Sequence, residues 1–280
     1  MESLSRELRH TLRRLARSPS FTLIAVATLA LGIGANAAIF TVVRSVLLRP
    51  LPYPDQERLV VAHHTAPGMG VEEVSHSEAT YLIYAQENRV FERIGVLRDE
   101  SLNLTGGGEP ERIQAILATH EILPILGAVP LLGRLTGEAD DLPGAPEVAI
   151  LTHALWQRRF GGDPSVLGRT LQVNGVPREV VGVLPADFRW EEAEILLPLR
   201  FDRAAPDEGS FSYTGLAKLK EGLAPGAASA DIERMIRLMP ERYSRQITLS
   251  MLEQIGLAPN VKTLKEQTVG EITRALWILL

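Results

Sequence analysis

Twenty-three consecutive residues without a charge, Phe21 to Val43, constrain this chain more than any other feature. As an α-helix they would measure about 34 Å at 1.5 Å per residue, enough to cross a bilayer core of about 30 Å. Arg6, Arg9, Arg13, Arg14 and Arg17 precede the run against only Glu2 and Glu7, while Arg44 and Arg49 follow it. That excess of positive charge in front places the N-terminus in the cytoplasm. Leu4, Leu8, Leu12 and Leu15 recur at helical spacing, so residues 1–20 read as an amphipathic cytoplasmic arm lying on anionic lipid or packed on a partner protein. Ala35-Asn36-Ala37 looks like a signal-peptidase site, but the apolar run continues through Ala38, Ile39, Phe40, Val42 and Val43, beyond the short apolar core of a cleaved leader. A retained transmembrane helix over residues 21–43 is therefore favoured. Ala30, Gly34 and Ala38 are spaced four apart on one face and would let a second helix approach closely, with Asn36 on a neighbouring face hydrogen-bonding across the contact; small residues are also simply frequent in membrane helices.

The far end changes from a polar amphipathic segment to Ala275-Leu276-Trp277-Ile278-Leu279-Leu280. It reads either as the last turn of a soluble helix or as the start of a second membrane helix over residues 271–280, with Trp277 at the interface. Between the ends, residues 44–270 are long enough for a substantial core outside the cytoplasm. Lysine and arginine number 29 against 34 acidic residues, and the arginine excess is confined to the N-terminus, so no nucleic-acid partner is indicated. The absence of cysteine removes disulfides, thiolate metal sites and cysteine nucleophiles.

The body reads as mixed α+β with more than one subdomain. Leu59 to Ala62, Ile113 to Ala118 and Val148 to Leu151 read as strands, and Gly95 to Leu104 as a strand or a pair of strands. Ser77 caps a helix holding Tyr81, Leu82, Tyr84 and Ala85, a short helix over Glu121 to Leu126 ends at Gly127, and Thr152 caps a helix that stops at Gly161-Gly162. Asn174-Gly175 predicts a primed hairpin turn between Leu171/Val173 and Val180/Val181/Val183. Leu216 to Leu219 reads as a strand, Pro225-Gly226 as a turn, and Ile232, Met235, Ile236 and Met239 as the stripe of one helix.

Chemistry is sparse. His63, His64 and His76 flank Glu72, Glu73 and Glu78, but no tight ligand pair such as His-x-x-x-His occurs, and the group reads as scattered histidines on a solvated loop. Gly162 to Thr170 superficially looks like a phosphate loop, yet its glycine spacing is one residue too long and Arg169 stands where lysine is needed. Gly106 to Gly108 reads as a turn, no Gly-x-Ser-x-Gly elbow is present, and Trp156, Phe160 and Trp190 read as packing residues. No catalytic, metal or cofactor constellation follows.

The stretch "RRLARSPSFTLIAVATLALGIGANAAIFTVVRSVLLRPLPYPDQERLV" resembles the start of MacB-like ABC transporter permeases, especially the duplicated orphan permeases of Acidobacteria. "LTGGGEPERI", "LTHALWQRRFGGDPSVLGRTLQVNG", "VVGVLPADF" and "LAKLKEGLAPG" are similar to successive landmarks of that family's periplasmic core domain, and "LKEQTVGEITRALWILL" to the approach to a second membrane helix. Ile195-Leu196-Leu197-Pro198-Leu199 departs from the usual pattern, which has Trp before the Pro-Leu pair. The resemblance implies a permease subunit in the inner membrane, working as a dimer with an ABC ATPase subunit in efflux or mechanotransmission, without a nucleotide site of its own. It also implies at least three further membrane helices. A membrane-tethered binding module without an ATPase is the competing reading, and a metal hydrolase on His63, His64 and His76 a third.

Overall fold

The computed structural model describes residues 19–47, 50–106, 108–190, 192–243 and 248–270. The N-terminal unit is represented by one helix, α1 (Pro19–Leu47), whose backbone is helical for 29 residues. The body, Leu51–Glu271, is a separate unit.

The body is organised around one long strand. β1 (Leu59–Ala66), β2 (Val71–Val74), β3 (Phe91–Thr105), β4 (Glu111–Ala118), β5 (Leu132–Gly133), β6 (Val148–Leu151), β7 (Thr170–Val173), β8 (Val176–Val183), β9 (Ile195–Pro198), β10 (Thr214–Leu219) and β11 (Ala258–Thr263) join in a single hydrogen-bonded system ordered β11-β1-β10-β3-β4-β9-β6-β8-β5. At fifteen residues, β3 serves two neighbourhoods. Its first half, up to Leu97, pairs with β10; from Leu97 onwards it pairs with β4.

Beyond that handover the strands close on themselves. β3 pairs β4, β4 pairs β9, β9 pairs β6, β6 pairs β8, β8 pairs β7, and β7 returns to β3 at Leu104–Val173. The result is a six-stranded barrel, which leaves its members no free edge along the closed part. The alternation of side chains along a strand fills it: Ile195 and Leu197 of β9 point into one cluster with Ile113, Ala115, Leu151 and Val180, while Leu196 points out into another. The hairpin between β7 and β8 is built as its Asn174-Gly175 pair demands, with φ of 47° and 77°. Asn174 also ties the turn to β3, accepting the Asn103 N–H on Oδ1 and donating its own N–H to the Asn103 carbonyl, each at 2.8 Å.

On the other side of the handover, β11, β1 and β10 with the first half of β3 form an open sheet covered on both faces. Val60 and Ala62 face a cluster with α2 (Glu78–Glu87) and α5 (Pro225–Ile236). Leu59 and Val61 face the opposite cluster with α3 (Ile122–Ile125). α4 (His153–Phe160) adds Leu155 and Trp156 to the barrel cluster, is capped by Thr152 and ends at Gly161 with φ 61°. α6 (Met239–Arg242) and α7 (Leu249–Ile255) complete the body with a helical segment over 264–270.

Two readings of the chain are corrected. Pro225-Gly226 opens α5 instead of making a turn, because proline at the first helical position gives up only an N–H that would be unpaired anyway. Met239 lies outside α5: Pro240 cannot donate to a carbonyl one turn back, so the helix stops at Ile236 and restarts as α6, with Met239 still buried in the same cluster.

Candidate functional site

Arg6, Arg9, Arg13, Arg14 and Arg17 lie outside the described residues. In α1 the backbone is described throughout, and side chains at residues 19–34 and 37. Phe21, Leu23, Ile24, Val26, Leu29, Leu31 and Ile33 are all exposed, up to 79% for Leu31. At 100° per residue these positions encircle the helix, so the apolar surface is not a stripe awaiting one core. Over the residues with described side chains alone, no helix is long and apolar enough to cross a membrane. Ala30 and Gly34 are exposed, and a Cβ placed on Gly34 would meet nothing within 4 Å. Ala38 continues the same face of the helical backbone. The side chains of Asn36 and Ala38 lie outside the described residues.

The three histidines are not on a solvated loop. His63 and His64 lie in β1 between β10 and β2 on one side and β11 on the other, and His76 bridges to Tyr213; all three are buried. His64 Nε2 lies 2.6 Å from the Tyr84 hydroxyl of α2. His76 donates from Nε2 to the Ala62 carbonyl at 2.7 Å, which fixes its tautomer. The two rings meet edge to face with centroids 4.9 Å apart, in space that exists because residue 215 is glycine: a Cβ there would overlap His76 Nε2. Burial pushes His64 down to about 4 and His76 well below its usual value, so both imidazoles are neutral packing groups. His63 lies 3.7 Å from Glu73, which also pairs with Lys262 at 3.1 Å. Among the described residues no three His, Asp or Glu side chains are grouped to hold a metal.

A histidine that the chain does not advertise has the opposite state. His120, just after β4, presents Nδ1 to Asp141 at 2.8 Å and Nε2 to Glu121 at 3.3 Å, while Arg93 pairs with Glu121 at 2.7 Å. The hydrogen bonds to Asp141 and Glu121 raise it to about 9, against the opposing effect of partial burial. With both nitrogens donating to carboxylates, the imidazolium has no lone pair with which to accept a proton or bind a metal. It lines a cleft of about 310 Å³ with Tyr81, Arg93, Glu121, Glu138 and Arg203, in which Arg203 pairs with Glu138 at 3.3 Å. The charged groups named here pair with one another and tie together segments on both sides of the cleft.

The other motifs resolve structurally. Arg169 pairs with Asp163 at 2.6 Å inside its own loop, and Asp163 caps the short 3₁₀ turn Pro164–Val166. Arg159 clamps the glycine turn, donating to the Gly106 and Glu109 carbonyls and to Glu111. Trp156 is buried in the barrel and donates its indole N–H to the Asp163 carbonyl at 2.9 Å, whereas Trp190 belongs to the α3 cluster.

A family model of the MacB-like periplasmic core domain matches residues 22–235. The chain belongs to that family. Its fold is shared with the periplasmic region of MacB from Actinobacillus actinomycetemcomitans at 12% identity and a TM-score of 0.53, over 80% of this chain and 94% of that one. A domain of a protein described as a permease from Porphyromonas gingivalis aligns at 17% identity and a TM-score of 0.54, over 76% of this chain and 93% of that one. No curated protein sequence matches the chain significantly. The MacB-like body is thus a permease-type periplasmic domain, the kind carried by ABC-type transporter components.

Proposed function

We propose that this chain is a permease subunit in which α1 spans the inner membrane with its N-terminus in the cytoplasm and residues 44–270 form the extracytoplasmic core. The observation that carries the reading is the conjunction of a MacB-like body with a helix that is apolar and exposed around its circumference. Water does not tolerate such a surface; lipid does. Energy comes from an ABC ATPase partner, whose closure moves the membrane helices and reshapes the body, in efflux or in transmission of force alone. The arginine arm of residues 1–20 is the cytoplasmic contact with lipid headgroups or with the ATPase. Ala30, Gly34 and Ala38 form the face on which another membrane helix, from a segment beginning near 271–280 or from a second subunit of a dimer, packs closely.

The test is purification of the full chain from chemically crosslinked membranes, followed by assay of ATP hydrolysis in the retained complex. Retention of an ABC ATPase that depends on residues 1–17 supports the reading. Full membrane retention with no ATPase, in wild type and deletion alike, would mean a tethered binding module instead.

A further inference from the structure

The chain enters the body through Leu51–Pro54, eight residues before β1 begins, and this segment is held on several sides. Leu51 donates its N–H to Gln56 Oε1 at 2.6 Å. Tyr53 donates its hydroxyl to the Arg189 carbonyl at 2.7 Å, and its ring lies 6.1 Å from that of Trp190. Pro54 sits over Gly127, at φ 69°, where a Cβ would overlap the proline ring. Leu51 and Tyr53 pack on the cluster that contains Ile122, Ile125, Ile150, Leu184 and Leu196. Pro50, Pro52 and Pro54 each fix φ near −65°, so the segment is stiff even before these contacts form.

These anchors belong to different halves of the body. Gly127 ends α3, which packs on β3 and β10 of the open sheet. Arg189 and Trp190 belong to the connection between β8 and β9, two strands of the barrel. Strand pairing alone demands no such bridge, because β1 pairs only with β2, β10 and β11. Leu264, where the chain leaves β11, is buried in the same cluster as the strap.

We propose that Leu51–Pro54 is a fixed strap binding the incoming chain to both halves of the body at once, with Tyr53 as its positioning residue. A displacement arriving at Pro50 is delivered to α3 and to the β8–β9 connection together, and is not taken up as slack. The proposal rests on the permease reading for the origin of that displacement, but the strap itself does not. Because coupling is reciprocal, loosening the strap must loosen both places it holds.

Hydrogen exchange of the full chain in lipid nanodiscs tests this. In wild type, the Leu51 amide, which is held by Gln56 and is the amide that reads this proline-rich segment, exchanges at least about tenfold more slowly than in an unprotected chain. Tyr53→Ala speeds exchange in 51–56, in 122–128 and in 186–190, while Val148–Leu151 stays protected. Tyr53→Phe keeps the ring contact and loses the bond to Arg189, so it loosens 186–190 most and, through the strap, 122–128 to a smaller degree. An unprotected Leu51 amide in wild type, or a Tyr53→Ala effect confined to 51–56, would overturn the strap. Should Tyr53→Ala expose Val148–Leu151 through general unfolding, Tyr53→Phe and Gln56→Ala decide by the same criterion. Failure of the permease reading would appear separately, as extraction of the chain from membranes by alkaline carbonate with the exchange pattern intact.

Discussion

At the scale of single residues, the histidines divide by what surrounds them, and pH separates the two kinds. His120 is raised to about 9 in the folded chain by Asp141 and Glu121, against about 6.5 when unfolded. The folded state therefore binds its proton more tightly; the stabilisation is complete below about pH 6.5 and is lost as pH rises through about 9. The melting temperature should fall between pH 7 and 9.5, and His120→Gln should flatten that slope; an identical slope in the variant would remove His120 as its cause. His64 has the reverse sign. Its folded value of about 4 lies below the unfolded one, so the stability present above pH 6.5 is lost as pH falls toward 4. Gly215 sets the space for the His76 ring, and Gly215→Ala should destabilise the fold by about 1–3 kcal/mol, the usual range for overpacking, in urea titration at pH 7. A value within experimental error of wild type would mean that the imidazole has room to move.

Among elements, the β7–β8 hairpin follows most directly from the residues that form it. Gly175 has φ 77°, and Gly175→Val should cost about 1–2 kcal/mol, because a branched side chain resists the left-handed region. Equal denaturation midpoints would show that another turn type substitutes at no cost. In α1, Gly34→Leu should weaken assembly with other membrane helices, read as loss of dimer or complex on crosslinking in membranes. Unchanged assembly would remove the Ala30, Gly34, Ala38 face from the account. Elements with strong local signals were legible: Val148–Leu151, the Thr152 cap, the Gly161 stop and the Asn174-Gly175 turn owe little to their surroundings. β9 was not, since Ile195-Leu196-Leu197 is buried on both faces and shows no alternation to read. β11, with Pro259 and Asn260, lacks an apolar run, as suits an edge strand. The 264–270 helix had a readable start: Thr263 and Glu266 make the reciprocal bonds of a capping box at 2.8 and 3.1 Å. His63, His64 and His76 misled because their burial depends on β10, β2 and β11, two of which come from distant parts of the chain.

For the whole molecule, the body is two structures sharing β3: an open sheet covered by helices and a closed barrel. His120 meets Asp141 across 21 residues and Tyr53 meets Arg189 across 136, so neither bond could be read from any one motif. The account depends above all on α1 crossing the membrane with the arm inside and the body outside. Because the chain has no cysteine, single labels report topology without background. The measurement is labelling of Ser5→Cys and Ser101→Cys variants by a membrane-impermeant maleimide in intact spheroplasts, repeated after permeabilisation. The account predicts immediate labelling at position 101 and labelling at position 5 only after permeabilisation. Protection of position 101 in intact spheroplasts, or labelling of position 5 at the same rate, would contradict it.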